Sequence, residues 1–428
     1  MRIKTIKAYE ILDSRGSPTV AAGVELEDGT LEYGLVPSGA STGSREALEK
    51  RDGGKNFNGK GVERVIEDAS NNFFPEFIGL NVEDQILIDK LIMELNGSEN
   101  KEKYGANISL GLSLAVCKSC AKHLKIPLYL HINNLLKNLF DFDAEMSMPL
   151  PMMNILNGGA HANNGLDFQE FMIQPLGFSS FKEGLICGVE IFSALKKTLN
   201  KKGFSTAVGD EGGFAPEINT SEEALELISQ AISISGYELE KDVSFALDCA
   251  ATEIFSGGSY NFSDNKKLNS KELVNYLISL NMNYPISSIE DGLDEDDWEG
   301  WKLLTKELGK KTQLVGDDLF VTNKNILEKG IKENVGNSIL IKINQIGTLT
   351  ETFETIKLAE ENSYKCIISH RSGETEDSFI ADLAVGSGVG QIKCGAPSRS
   401  DRTAKYNRLS MIDAQENLIY KGRSELTF

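Results

Sequence analysis

FALD (245–248), SSIE (287–290), QLVGD (313–317), SILIK (338–342), CIISH (366–370) and GQIK (390–393) are short, mostly apolar runs, and each closes on an ionisable residue. The closing residues are three carboxylates, Asp248, Glu290 and Asp317, followed by three basic groups, Lys342, His370 and Lys393. They fall 42, 27, 25, 28 and 23 residues apart, the spacing of a strand followed by a helix, repeated. In a closed β/α barrel the C-terminal strand ends meet at one face, and active sites are built there. Residues distant in sequence are thereby predicted to converge on one pocket. Three acids side by side repel one another unless a cation neutralises them, so the pattern calls for a hard metal.

Upstream of these runs the periodicity differs. Residues 1 to about 33 alternate as strands, TIKAYEIL and TVAAGVELEDGTLEYG being joined by turn-type residues. A Gly/Ser-rich loop, PSGASTGSREALEKRDGG (37–54), leads into helical patterns from about Val62 to His131. The predicted fold is therefore α/β in two parts. An N-terminal α+β domain covers 1–135, and LKNLFDFDAEMSMPLPMM (136–153) loses periodicity, which places a junction at 136–147. A modified (β/α)8 TIM-type barrel covers 148–428.

At 428 residues the chain exceeds what one hydrophobic core usually organises, which supports two domains. A hydrophobic fraction of 40%, a charged fraction of 25% and 10 prolines give no case for extended disorder. No run of about 18 apolar residues is present, and MRIKTIKAYEILDSRG lacks the apolar core of a secretory signal, so a cytoplasmic location is expected. A net charge of −19 makes nucleic acid and anionic membrane poor partners, and an anionic substrate would need local recruitment. The six cysteines follow no disulfide framework; Cys117 and Cys120 form C-x-x-C inside what reads as a buried helix.

Lys342 ends a wholly apolar strand, where a lysine beside cations is expected to have a depressed pKa and to act as a base. SHRSGETED (369–377) offers His370, Arg371 and Ser372 in succession, and with Lys393 these suit a phosphate or carboxylate. LNGGAHANNGLDFQEF (156–171) presents His161, Gln169 and Glu170, and AVGDEGGFAP (207–216) sets Glu211 between glycines that permit close backbone approach. An acid facing a lysine across a metal site could serve opposite faces of one substrate. The acidic stretch DGLDEDDWEGW (291–301) reads as a solvated loop and helix start, and His123 and His131 receive no role.

Taken together, SHRSGETEDSFIADL, IKINQIGTL, PSGASTG and GDEGG, within a likeness running from DSRGSPTV to RSDRTAKYNRL, resemble the enolase family. That resemblance implies dehydration of 2-phosphoglycerate to phosphoenolpyruvate, by a lysine base with Mg²⁺ stabilising an ene-diolate, the superfamily's known chemistry. It implies Asp248, Glu290 and Asp317 as ligands of one Mg²⁺, and Ser41 in a closing loop as a ligand of a second. Lys342 would be the base at C2 and Glu211 the acid at the C3 hydroxyl, supported by Gln169 and Glu170. Arg371, Ser372 and Lys393 would bind phosphate and carboxylate, with His161 and His370 as further pocket groups. A homodimer or higher homo-oligomer is implied, with a secondary surface or secreted fraction as a further role. Cys394, beside Lys393, is expected to lie near the phosphate and to be open to alkylation, and the end SELTF lacks the C-terminal lysine with which some relatives bind plasminogen. Two other readings are another proton-abstracting member of the superfamily and a catalytically silent surface or structural protein on the same fold.

Overall fold

The computed structural model describes residues 1–40, 42–142 and 144–426. Strands β1 (Ile3–Leu12), β2 (Pro18–Leu26) and β3 (Leu31–Leu35) form an antiparallel meander. The long strand-like stretch divides at Asp28 and Gly29, the glycine taking φ +84 in the turn. Helices α1 (Glu63–Asn72), α2 (Gln85–Asn96), α3 (Ala106–Leu124) and α4 (Leu128–Phe140) follow. Helix α3 is almost wholly buried, with Cys117 and Cys120 in the core, because the sheet lies directly on it: a Cβ at Gly34 would stand 2.5 Å from the Gly111 carbonyl oxygen. Helix α4 runs beyond residue 135.

The second part is a closed barrel. In chain order its strands are β4 (Leu150–Asn157), β5 (Glu170–Pro175), β6 (Val243–Asp248), β10 (Ile286–Glu290), β11 (Gln313–Gly316), β12 (Ser338–Ile341), β13 (Lys365–Ser369) and β14 (Gln391–Lys393), while β7 (Phe255–Ser256), β8 (Ser259–Asn261) and β9 (Lys267–Leu268) form a separate small sheet. The intervening helices open on side-chain caps: Ser180, Thr220, Asn269 and Thr348 each accept the backbone N–H three residues on. All barrel neighbours pair parallel except β5, which runs antiparallel to both β4 and β6. The reversed β5 is thus where the barrel departs from a regular (β/α)8 arrangement. A parallel return needs a crossover, usually a helix, whereas the 158–169 connection holds only the 3₁₀ turn Gly159–His161 and folds back alongside β4.

Inside the barrel the two-residue period of a strand stacks side chains in layers. Met152, Met172, Ala246, Val315, Leu340 and Ile367 form an apolar middle layer, a cluster distinct from the core between barrel and helices. Two residues nearer the C-terminal mouth stand Asn154, Asp248, Asp317, Lys342 and Ser369. On the reversed β5 the step runs backwards, from Met172 to Glu170, and Glu170 pairs in register with Asp248. The apolar layer thus forms a dry floor beneath a ring of polar and charged groups. Among the described residues no helix is long and apolar enough to cross a membrane.

Candidate active site

A small cavity of about 20 Å³ at the mouth is lined by Lys342, Lys393, Arg371, Ser372, His370, His161, Gln169, Glu170, Glu211 and Asp248, with Ser369. Glu290 and Asp317 lie at its edge, bonded to Lys393 and Lys342 respectively. The structure thus brings the residues given a site role in the sequence to this mouth, except Cys394, which is treated below, and Ser41, which lies outside the described residues.

On one wall, Lys342 Nζ pairs with Asp317 Oδ2. Gln345 Nε2 donates to Asp317 Oδ1 at 2.9 Å. Thr322 braces the turn: its Oγ1 accepts from the Lys342 backbone N–H at 2.9 Å and donates to Gln345 Oε1 at 2.8 Å. Val321 and Thr322 hold φ of 43 and 55, unusual for β-branched residues, so local strain is kept at this wall. Burial pulls the Lys342 pKa down, but Asp317 and Glu290 outweigh that, and the ammonium is held in its charged form.

Of the three predicted metal ligands, Asp248 and Glu290 meet at Lys393, whereas Asp317 is held by Lys342. Lys393 Nζ stands 3.1 Å from Asp248 Oδ2, 2.8 Å from Glu290 Oε2 and 3.1 Å from Glu170 Oε1, so one ammonium answers three carboxylates. That places Lys393 among the acids as well as beside the anion-binding groups. Burial, and then the neighbouring Asp248, push Glu290 far above an ordinary carboxylate. Glu290 Oε1 is buried without a hydrogen-bond partner. An all-oxygen donor set with an unpartnered buried oxygen fits a hard divalent cation. Two groups of side chains lie within ion-binding distance of one another, His161 with Glu170 and Glu211, and Asp291 with Asp317 and Asp318; Asp291 accepts from the Asp317 and Asp318 N–H groups at 2.9 and 2.8 Å. Sequence reading passed over Asp291 and Asp318, whose only signal was adjacency to Glu290 and Asp317.

The opposite wall is built differently. Counting around the barrel, β5 with Glu170 lies across from β12, which precedes Lys342. Glu211 arrives on a loop whose glycines meet backbone: a Cβ at Gly213 would lie 2.8 Å from the Asn154 carbonyl, and Gly212 holds φ +87. Asn154 Nδ2 donates to Glu211 Oε2 at 2.9 Å, His370 Nε2 stands 3.3 Å from the same oxygen, and His161 Nδ1 is 3.7 Å from both Glu211 and Glu170. Burial first, and the Glu211 charge second, raise Glu170 well above the carboxylate range. Burial favours neutral Glu211 too, but His370, His161 and Arg402 outweigh it, so the proton of the pair rests on Glu170. Burial pushes His370 down to about 3, opposed by Glu211 and aided by Arg402, so the ring is neutral.

Arg371 and Ser372 face the Gly/Ser-rich loop. Arg371 forms a two-armed pair with Glu46, Nη1 to Oε2 at 2.9 Å and Nη2 to Oε1 at 3.1 Å. Ser372 Oγ accepts from Ala40 N–H at 2.7 Å. Ser44 N–H reaches Glu295 Oε2 at 3.2 Å. Glu295 and Asp294 are only 6% exposed, so the acidic stretch is not simply solvated but includes a clasp for this loop. Cys394 departs from expectation. Its neighbour Lys393 points into the barrel, whereas Cys394 belongs to the outer core, 0% exposed, and burial pushes its thiol up to about 12. Such a thiol is inert to alkylation in the folded protein. All six cysteines are free and buried. His123 pairs with Asp28 at 2.6 Å and His131 is packed in α4, both remote from the cavity.

Comparison with known proteins agrees along the whole chain. Residues 3–132 match the family description "Enolase, N-terminal domain", and residues 145–427 match "Enolase, C-terminal TIM barrel domain". The curated "Enolase" of Legionella pneumophila strain Philadelphia 1 is 53% identical over 428 residues, and that of strain Corby 54%, with all of both chains covered in each case.

Proposed function

This chain belongs to the enolase family, and from that premise we propose that it dehydrates 2-phosphoglycerate reversibly to phosphoenolpyruvate, with Lys342 and Glu211 acting on opposite faces of the substrate. Membership makes it a hydro-lyase acting on a small molecule. The observation that carries the finer reading is the placement of one lysine and one carboxylate pair on facing walls of a single buried cavity.

Lys342 takes the C2 proton as the free amine, its ammonium having first released a proton to solvent. The one proton that Glu170 and Glu211 share passes from Glu170 to Glu211, which delivers it to the departing C3 hydroxyl so that the group leaves as water, and both carboxylates are left ionised. Arg371 and Ser372 bind the phosphate, their geometry preset by Glu46 and by the backbone of the 38–40 segment. Asp248, Glu290 and Asp317 are the residues that would hold Mg²⁺, and Ser41 is assigned to a second ion by resemblance alone. When bound, the cations supply positive charge for the substrate carboxylate as it takes on a second negative charge. The apolar floor beneath the charged ring excludes water from the reacting carbons. Six free cysteines support a reducing, cytoplasmic setting, and assembly as a homodimer or larger homo-oligomer belongs to the same reading.

The test is ultraviolet absorbance of 2-phosphoglycerate mixed with purified protein. A Mg²⁺-dependent rise from the conjugated enol phosphate, abolished by excess chelator, is expected. A folded, Mg²⁺-supplied sample that produces no rise overturns the assignment.

A further inference from the structure

Two charged side chains that this chemistry does not use, Arg402 and Lys405, are each 0% exposed. Charged groups are almost never so buried unless partnered. Both come from the first turns of the helix Ser400–Glu416 and reach the underside of the 370–375 loop. Lys405 is accounted for by Glu374 Oε2 at 2.8 Å and by the Thr375 and Asp401 carbonyls, each at 2.7 Å. Arg402 ion-pairs with Asp401 at 2.8 Å through Nε, and its two remaining nitrogens serve the pocket. Nη2 donates to the Asp210 carbonyl at 3.2 Å and to that of Ser372. Nη1 donates to the Arg371 carbonyl and contacts Nδ1 of His370. One guanidinium therefore joins the loop that carries Glu211 to the loop that carries Arg371 and Ser372.

A guanidinium has only donors and keeps its charge at any working pH. A ring nitrogen facing it can only accept. His370 Nδ1 must then present its lone pair, and the single proton of the neutral ring sits on Nε2, the atom 3.3 Å from Glu211 Oε2. We propose that Arg402 is a positioning residue for the acid half of the reaction, fixing His370 as the Nε2–H tautomer so that the ring presents a proton, not a lone pair, to the Glu211 carboxylate 3.3 Å away. This rests on Glu211 being the acid. Without Arg402 the proton can move to Nδ1, and a bare Nε2 lone pair would then face the Glu211 carboxylate and push it away.

The chain contains four histidines, so ¹⁵N-histidine labelling of the whole protein gives a readable nuclear magnetic resonance spectrum, with His370 assigned from the signal lost in His370→Gln. The wild type is expected to show the shift pattern of an Nε2-protonated ring, and Arg402→Met a shift toward Nδ1–H or a mixture. In the same variant, dehydration should fall about a hundredfold while C2 proton exchange at saturating substrate stays within about twofold. A protonated or Nδ1–H His370 in the wild type overturns the proposal, whether or not Arg402→Met folds. An unchanged tautomer in the variant, or exchange and dehydration falling in parallel, overturns it as well. Failure of the acid assignment is read separately, from Glu211→Gln dehydrating substrate normally, an outcome independent of the tautomer spectrum.

Discussion

The Lys342 wall and the Glu211 wall of the pocket both bury ionisable groups, but they hold them by different means. Lys342 and Asp317 answer each other directly, with Gln345 at 2.9 Å completing the carboxylate. Glu211 has no lysine partner among the described contacts: its neighbours are Asn154 at 2.9 Å and the rings of His370 and His161. Opposite charges fix an ionised pair, whereas polar neighbours and a second carboxylate leave one proton to be shared. The first wall holds a lysine that must shed its proton before it can act as a base, and the second holds one proton, shared by Glu170 and Glu211, that can be given to a leaving group.

The sharpest way to break this contrast is to remove each principal residue. Lys342→Ala should abolish C2 proton exchange and lower turnover by about 10⁴-fold, the upper end for a general base. Glu211→Gln keeps the shape of the acid and cannot deliver a proton, so exchange should persist while dehydration falls about 10³-fold. Isotope exchange followed by nuclear magnetic resonance, beside the absorbance assay, separates the two. Equal loss of exchange in both variants would mean that the walls do not divide the chemistry.

A smaller effect probes how the base wall is built. Thr322→Val keeps the volume but deletes the hydroxyl, leaving the Lys342 backbone N–H and Gln345 Oε1 without the partners they have at 2.9 and 2.8 Å. Thr322 is 0% exposed, so the cost in stability should be about 2 kcal/mol, read as a lower urea midpoint at unchanged slope. Gln345 is loosened from Asp317 in the same variant, so exchange and dehydration should fall together. A fall in dehydration alone would assign Thr322 to the other wall.

The walls also differed in how far the sequence disclosed them. Asp248, Glu290, Asp317 and Lys342 each close or follow an apolar run, and the alternation that stacks a dry layer beneath them is a local property of each strand. Glu211 and His161 sit in glycine-rich loops, where nothing local gives direction, and their roles came from resemblance. Glu170 reached the mouth only because β5 runs backwards, a matter of topology that the FQEFMIQP stretch does not reveal by itself. Arg402 contacts a carbonyl 192 residues away, and Glu46 a guanidinium 325 residues away, so neither could be read before the chain was folded. Cys394 and Glu295 went the other way: adjacency to Lys393 suggested a pocket thiol and an acidic run suggested solvent, but strand parity and the loop clasp placed them elsewhere.

Asp89 isolates what neutral donors alone do to a buried carboxylate, and so calibrates the Glu211 wall without the imidazoles. It lies in α2, fully buried, and accepts from Gln85 Nε2 at 3.1 Å and from the Thr350 N–H and hydroxyl at 2.9 and 2.7 Å, with no cation among these contacts. Burial dominates over these hydrogen bonds and raises its pKa from 3.8 to about 6. The folded state therefore binds this proton more tightly than the unfolded chain. The stability it contributes is complete below about pH 4 and is lost as the pH rises through about 6. Between pH 5 and pH 7.5 the loss amounts to about 1 kcal/mol. Asp89→Asn cannot ionise, so its stability relative to the wild type should improve by about that amount over the same interval, measured by urea unfolding at each pH. A difference between the two proteins that stays constant with pH would show that the neutral donors already stabilise the ionised form, and the same donors would then suffice to keep Glu211 charged without its histidines.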